Sequence, residues 1–215
     1  MSNKFFFRII ELVALIAFFV YMYRFGIRLV RAFPTLSFSP GFTLFLVIVP
    51  IMAYIAADFV SGFVHFLADN FGSDTTWFFG QKFIHPFREH HVDPTAITRH
   101  SFLEVNGDSC IVALLVLLPT YYTLPVGASQ FYLAMGVFVI FFLSGIFLTN
   151  QIHRWAHTAV PPRFVAWLQN KRLILSPAVH NIHHTAPFAT YYCITSGWLN
   201  PLLARLGIFE RKIKE

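Results

Sequence analysis

The chain has 215 residues, of which 56% are hydrophobic and only 12% are charged, and its mean hydropathy is +0.61. Soluble domains carry roughly a quarter of charged residues, so this composition excludes an ordinary soluble protein and predicts a polytopic membrane protein. The net charge of +6 is typical of a basic membrane-proximal face, and the absence of a basic stripe interleaved with aromatic residues argues against nucleic-acid binding. Only Cys110 and Cys193 are present, which excludes a disulfide framework and a thiolate metal site.

Four apolar segments predict an all-α architecture with four transmembrane helices, at about residues 5–31, 42–69, 108–124 and 131–157. The second and fourth segments exceed the length of a bilayer span by about two helical turns. We expect a single domain over residues 1–215, in which residues 70–107 and 158–215 form a histidine-rich cap on one membrane side. Lys and Arg counts favour the cytoplasm for this side, although the opposite side carries Arg24, Arg28 and Arg31.

The second segment carries Asp58, Gly62, His65 and Asp69 at spacings of four, three and four, which places them on one helical face. An aspartate within an apolar segment is costly and therefore indicates a function. We predict that His65 and Asp69 bind a metal ion and that Asp58 orients a ligand imidazole. The alternative for Asp58 is a hydrogen bond to a neighbouring helix.

The loop that follows contains the doublet His90-His91, which we predict to bind metal. Glu89, Asp93 and His100 lie close to the doublet in sequence, and we predict that they orient imidazole ligands. The alternative is that these three side chains are solvated.

Two further histidine patterns follow along the chain. His153 and His157 are four residues apart at the end of the fourth segment, a spacing that suits one metal ion. His180, His183 and His184 share one face if they are helical, but adjacent helical residues point about 100° apart, so His183 and His184 suit two ions better than one. The alternative is a chance cluster of surface or interface histidines.

The candidate metal ligands number nine: His65, Asp69, His90, His91, His153, His157, His180, His183 and His184. A single zinc ion takes four ligands, whereas nine fit two ions in five- or six-fold coordination. Imidazole ligands with one carboxylate and no thiolate suit two non-haem irons that leave a position open for dioxygen. A membrane metal transporter or a haem-binding protein would also use histidines, although a transporter places its ligands near the bilayer midplane.

Several motifs resemble a known family: PFREHH at 86–91, DPTAITRH at 93–100, NQIHRWAH at 150–157 and HNIHH at 180–184. Together with residues 58–69, 104–108 and 185–200, they are similar to the plasmanylethanolamine desaturase family of membrane lipid desaturases, which includes the plant fatty acid desaturase 4 type. The resemblance implies a membrane di-iron oxidoreductase that uses O2 and two external electrons, with the nine residues above as its ligands. It implies formation of the vinyl-ether double bond in the sn-1 alkyl chain of an ether phospholipid. An acyl-chain desaturase or a hydroxylase on the same centre stays open.

The expected partners are an ether phospholipid, the membrane and a separate electron donor of the cytochrome b5 or ferredoxin type. A separate donor is needed because the chain has no dinucleotide fingerprint, iron–sulfur cysteines or evident haem motif. An acidic donor would dock on a basic group of residues, which otherwise forms a solvated or headgroup-binding face: Lys171, Arg172, Arg211, Lys212 and Lys214. The expected membrane is the bacterial inner membrane or the endoplasmic reticulum.

Overall fold

The computed structural model describes residues 3–76 and 80–209, and the regular structure in these ranges is helical, which confirms the all-α fold class. A 3-10 turn, Phe33–Thr35, follows the first helix, and a π turn, Gly80–Ile84, precedes the third. The helices are α1 (Asn3–Ala32), α2 (Pro40–Asn70), α3 (His85–Val92), α4 (Ala96–Arg99), α5 (Phe102–Thr123), α6 (Gln130–Ala156), α7 (Arg163–Asn170), α8 (Pro177–His183) and α9 (Asn200–Arg205).

Four of these helices, α1, α2, α5 and α6, are long and apolar enough to cross a membrane. The bounds of α1, α2 and α6 lie within two residues of the predicted spans. In contrast, α5 begins at Phe102, six residues before the predicted start at 108. Glu104 and Asn106 lower the local hydropathy, but Glu104 lies in the first turn, where an acidic side chain favours a helix, and Asn106 is buried.

The segment after α2 is more ordered than the loop predicted from sequence. It contains α3, which begins at His85 with Pro86 in its first turn, and the short helix α4. Proline is well tolerated at the start of a helix because its missing N–H would have no helical partner there. As a result, the His90-His91 doublet lies on a helix.

The chain divides into two compact units, which are described separately. The first consists of Met1–Ala57 and Phe102–Phe147, and its core is apolar, with buried side chains that include Phe18, Phe25 and Leu117. Within it, α1 packs against α5. The packing is close at Gly107, where an added Cβ would lie 2.6 Å from the Cβ atom of Glu11. A larger residue at this position would therefore push the two helices apart.

The second unit consists of Asp58–Ser101 and Leu148–Glu215. Its apolar cluster includes Ile152, Val165, Leu175 and Ile194, but its interior also contains many buried polar side chains. An unpaired buried polar group costs free energy, so the interior of this unit needs partners for these groups. All nine predicted ligands belong to this unit.

Candidate metal centre

The last two turns of α2 present His65 and Asp69 on one face. His65 is fully buried, and its Nε2 atom lies 3.3 Å from Oδ2 of Asp69. The spacing of four residues explains this contact, because residues i and i+4 are neighbours on a helix surface. Both polar atoms face the interior of the second unit.

Helix α3 is attached to the C-terminal end of α2 by the guanidinium group of Arg88. The last carbonyl groups of a helix lack helical partners, and Arg88 satisfies that of Ala68 together with two carbonyl groups just beyond the end of the helix. Its N–H groups donate to the carbonyl oxygens of Ala68 (3.2 Å), Phe71 (3.0 Å) and Gly72 (3.1 Å) and to Oδ1 of Asp74 (2.9 Å). With α3 held in this way, His91 Nε2 lies 2.9 Å from Oδ2 of Asp69.

Three further histidines lie on or at the end of α8, which begins at a local helix-start signal. Ser176 is the N-cap residue, its Oγ atom accepts from the backbone N–H of Val179 at 3.4 Å, and Pro177 follows in the first turn. The helix ends at His183, and His184 is its C-cap. This short helix therefore presents three histidines of the sequence motif to the interior of the unit.

One cluster, here called the five-histidine group, consists of His90, His153, His157, His180 and His184, whose ligand atoms lie within 4.8 Å of one another. The Nε2 atom of His180 lies 2.8 Å from that of His153, 2.9 Å from that of His157 and 3.1 Å from that of His184. Two ligand nitrogens at right angles around a metal ion, each about 2.1 Å from it, are about 3.0 Å apart. The spacing of these nitrogens therefore matches that of ligands around one ion.

A second cluster, here called the four-histidine group, consists of His65, His90, His91 and His183. The carboxylate of Asp69 joins it, because Oδ2 lies within 3.5 Å of the Nε2 atoms of all its histidines except His90. His90 belongs to both groups. The adjacent residues His183 and His184 belong to different groups, the division expected from their directions on a helix.

Backbone carbonyl groups fix the tautomers of two imidazoles in the four-histidine group. The Nδ1–H group of His65 donates to the carbonyl oxygen of Tyr192 at 3.0 Å, and that of His183 donates to the carbonyl oxygen of Thr190 at 2.8 Å. A carbonyl oxygen can only accept, so each Nδ1 carries the proton and each Nε2 keeps its lone pair. This arrangement is typical of histidines that bind metal ions.

The surroundings of the histidines favour neutral imidazoles. Burial, together with neighbouring imidazoles, lowers the pKa of His157 to about 4 and that of His184 to about 3. Burial also lowers the pKa values of His90 and His180 well below the ordinary value. A neutral imidazole has a lone pair available for a metal ion.

The polar atoms of the two groups fit a metal centre better than they fit a hydrogen-bonded core. Among the described residues, both ring nitrogens of His90, Nε2 of His65 and Nε2 of His183 are buried without a hydrogen-bond partner. Such atoms cost about 1–3 kcal/mol each when they stay unsatisfied. Metal ions would satisfy them, and donors of this kind suit transition metals that prefer imidazole and carboxylate.

In the described part of the chain, the four residues that we predicted to orient the ligands make no hydrogen bond to an imidazole of either histidine group. Asp58 is fully buried, but its carboxylate accepts from backbone N–H groups and not from an imidazole: Oδ1 accepts from Thr195 (3.2 Å), Ser196 (2.7 Å) and Gly197 (2.9 Å), and Oδ2 accepts from Leu199 (3.3 Å). Asp58 thus fixes the segment that follows Tyr192. The same segment begins at Tyr192, whose carbonyl group contacts His65, so we infer an indirect role of Asp58 at that imidazole.

The predictions for Asp93, His100 and Glu89 are also not matched by the geometry. Asp93 binds Arg99, with Oδ2 2.5 Å from Nη2, and this contact lowers the pKa of the carboxyl group to about 2. His100 is exposed and lies outside both histidine groups, and Glu89 has no imidazole contact within the described residues. Glu89 and Asp93 are half-buried and His100 is exposed.

Sequence reasoning missed Arg88 and the carbonyl groups of Thr190 and Tyr192. The sequence did contain a signal for Arg88. Helix α2 has no basic residue in its last turn, so a basic side chain from elsewhere was needed to bind its last carbonyl groups. The carbonyl groups carry no signal in the sequence, because every residue has one.

A membrane-spanning helical chain with two converging histidine groups defines a class of integral membrane proteins with a candidate two-metal centre. Residues 54–213 match the lipid desaturase domain family. The chain therefore belongs to this family, and the resemblance drawn from its motifs is confirmed.

Individual relatives agree with this assignment. The chain is 44% identical to plasmanylethanolamine desaturase of Myxococcus xanthus over 167 residues, which is 74% of this chain and 56% of the relative. It is 48% identical to plasmanylethanolamine desaturase 1 of Mus musculus over 162 residues, 73% and 59% of the two chains. It is 34% identical to the chloroplastic fatty acid desaturase 4 of Arabidopsis thaliana over 177 residues, 79% and 52% of the two chains. The aligned region thus spans just over half of each of these relatives. No solved structure matches the chain.

Proposed function

We propose that this protein is an oxidoreductase that converts a plasmanyl ether phospholipid, such as plasmanylethanolamine, into the corresponding plasmenyl lipid. The enzyme would remove one hydrogen from each of C1 and C2 of the sn-1 alkyl chain and leave a vinyl ether. The reaction would consume one O2, two electrons and two protons, and it would release two water molecules together with the unsaturated lipid. The convergence of the nine ligands, five of them buried and four half-buried, in a chain similar to two plasmanylethanolamine desaturases, carries this proposal.

The nine residues would hold two non-haem iron ions, one in each histidine group, with Asp69 at the four-histidine group. When bound, iron would supply the O2 activation that is needed to cleave an unactivated C–H bond, a reaction beyond any side-chain acid or base. The residues of the chain would hold the imidazoles in the ligating state and exclude water. Burial of the imidazoles keeps them neutral and excludes water, and the carbonyl groups of Thr190 and Tyr192 keep two of them in the ligating tautomer.

The position of the ligands along their helices supports action on a membrane lipid. Helix α2 has 31 residues and is about 46 Å long, whereas the hydrocarbon core is about 30 Å thick. His65 and Asp69 lie in its last two turns, and His153 lies in the last turn of α6. We infer a centre at one membrane surface, on the cytoplasmic side of a bacterial inner membrane or the endoplasmic reticulum.

The two electrons would come from a separate protein of the cytochrome b5 or ferredoxin type. Lys171 and Arg172 are exposed and basic, and we infer that an acidic donor docks there. The other residues of the predicted docking face, Arg211, Lys212 and Lys214, lie outside the described residues.

A second candidate function is desaturation of an acyl chain close to its ester carbonyl. The similarity to the Arabidopsis thaliana fatty acid desaturase 4 favours this alternative. Both reactions need the same metal centre and differ only in the lipid accepted.

Expression in a host that is supplied with alkyl ether phospholipids tests the proposal. The wild-type chain should produce acid-labile vinyl ethers, detected by lipid mass spectrometry, and an equally expressed His184→Ala variant should not. A new double bond in acyl chains, without vinyl ethers, would support the second candidate. If neither product appears although the electron donor and iron are supplied, the desaturase proposal fails.

A further inference from the structure

Two cavities that share no lining residue reach the candidate metal centre. The larger, here called the α8 cavity, has a volume of about 450 Å³ and is lined by residues that include His157, His180 and His184 of the five-histidine group. The smaller, here called the α3 cavity, has a volume of about 200 Å³ and is lined by residues that include Asp69 and His91 of the four-histidine group. Each histidine group can therefore be reached through a cavity of its own.

The two cavities differ in charge. The α3 cavity is lined by the carboxylate of Asp69 and the guanidinium group of Arg88. The α8 cavity has no charged side chain among its described lining residues, which apart from the histidines are Pro94, Thr95, Asn181 and three alanine or proline residues. An alkyl chain avoids charged groups, so the α8 cavity is the more favourable surrounding for a C–H bond.

The volumes favour the same cavity. Sites for small organic ligands occupy roughly 300–1,000 Å³, a range that includes the α8 cavity and excludes the α3 cavity. Polar groups in the α8 cavity are few and placed at its edge, since Thr95 and Asn181 are both exposed residues. An ether oxygen needs only one or two hydrogen-bond donors, which the side-chain amide of Asn181 can supply, whereas the hydroxyl of Thr95 already donates to Asp93.

We propose that the α8 cavity binds the reacting segment of the ether phospholipid, with C1 and C2 of the sn-1 chain against the five-histidine group. This inference rests on the proposed function and adds where the substrate binds and which histidine group it meets. Thr95 and Asn181 line the entrance and determine which segment of the lipid fits. The four-histidine group lies behind the charged α3 cavity and does not contact the substrate.

A pair of tryptophan variants on α8 tests the assignment. Asn181 lines the cavity, whereas Ile182 is also exposed but does not line it. Asn181→Trp should fill the cavity and lower kcat/KM for the ether lipid by at least about tenfold, because small displacements of a reacting group cost one to two orders of magnitude. Ile182→Trp should stay within about threefold of the wild type, and Asn181→Ala, which leaves the space open, should lose less than Asn181→Trp. Iron content should be equal in all four proteins.

Photo-crosslinking of the wild-type chain provides a measurement that does not depend on how a variant folds or turns over. An ether phospholipid with a diazirine on C3 of its sn-1 chain should label the lining residues 94–95, 156–157, 177–178, 180–181 or 184, identified by peptide mass spectrometry. Labelling confined to Phe188, Tyr192 or any other residue outside the α8 cavity would overturn the inference. Equal kcat/KM values for the two tryptophan variants would also overturn it.

Failure of the proposed function has a different signature. A wild-type chain that contains iron and makes no vinyl ether would count against the substrate itself. A wild-type chain that makes vinyl ethers, with crosslinks elsewhere, would count only against the cavity.

Discussion

The two histidine groups share one residue but are held in different ways. In the four-histidine group, carbonyl oxygens fix the tautomers of His65 and His183, Asp69 contacts three imidazoles, and Arg88 attaches α3 to α2. In the five-histidine group, the Nε2 atoms contact one another, and the described residues supply no carboxylate ligand there. The four-histidine group is therefore preorganised by the protein, whereas the five-histidine group depends more on the ion it binds.

This difference is consistent with a division of tasks. A ligand set fixed by outside hydrogen bonds loses little freedom when an ion binds, so it retains the ion well. A set of neutral imidazoles beside the larger, uncharged cavity leaves room for a substrate. We therefore infer that the four-histidine group anchors one iron and that the five-histidine group holds the iron that faces the lipid.

The largest effect should follow from removal of His90, which belongs to both groups. His90→Ala removes a ligand that either ion can use, so iron content should fall from about two ions per chain to below one, and turnover should fall to background. Metal analysis of the purified protein and the vinyl-ether assay measure the two effects. His100→Ala is the matched control, because His100 is exposed and lies outside both groups. If the His90→Ala variant retains two iron ions, neither ion needs His90, and the prediction of a shared ligand is contradicted.

Ligands that belong to one group only should separate the two ions. His184→Ala affects the five-histidine group and His91→Ala affects the four-histidine group, so each variant should lose about one iron and all turnover. The remaining iron should give different spectra in the two variants, because only one of the two groups includes a carboxylate. Identical spectra would contradict the assignment of separate ions to the two groups.

Hydropathy identified the spans and side-chain chemistry identified the candidate ligands, and these two signals have different physical origins. Lipid requires about 20 consecutive apolar residues, so hydropathy finds α1, α2 and α6 directly. It misplaced the start of α5, because Glu104 and Asn106 form part of the helix while lowering its hydropathy. Histidines are rare in apolar segments, which is why His65 and His153 stood out as candidate ligands.

The partners of these ligands were much harder to predict. Asp58 contacts backbone N–H groups that are 137 to 139 residues away, and nothing in its local sequence identifies them. The contacts of Asp58 therefore differ from the predicted contact with an imidazole, and they supply the partners that a buried carboxylate needs. Arg88 likewise binds carbonyl oxygens, which depend on where α2 ends and not on side-chain identity.

A smaller effect should follow from a change that loosens only the four-histidine group. Arg88→Lys keeps the positive charge but cannot reach four acceptors at once, so α3 should move relative to Asp69. We expect iron affinity of one site to fall by about tenfold to a hundredfold, as for other groups that support ligands from outside. Chelator competition measures this affinity. Arg99→Lys is the matched control, since Arg99 lies on the exposed edge of the same segment and pairs with Asp93. Equal loss of both ions would contradict a role restricted to one group.

The smallest effect should come from Asp58→Asn. An amide oxygen can still accept from the N–H groups of Thr195, Ser196 and Gly197, so the segment after Tyr192 should keep its conformation. We expect a loss of about 1 kcal/mol in the free energy of unfolding, because the weaker contact from Leu199 at 3.3 Å is replaced by two opposed donors. Iron content should stay near that of the wild type, whereas Asp58→Ala should lower both stability and iron retention. If Asp58→Asn loses iron as completely as His65→Ala, the carboxylate acts on a ligand directly, and the indirect role through the carbonyl group of Tyr192 is wrong.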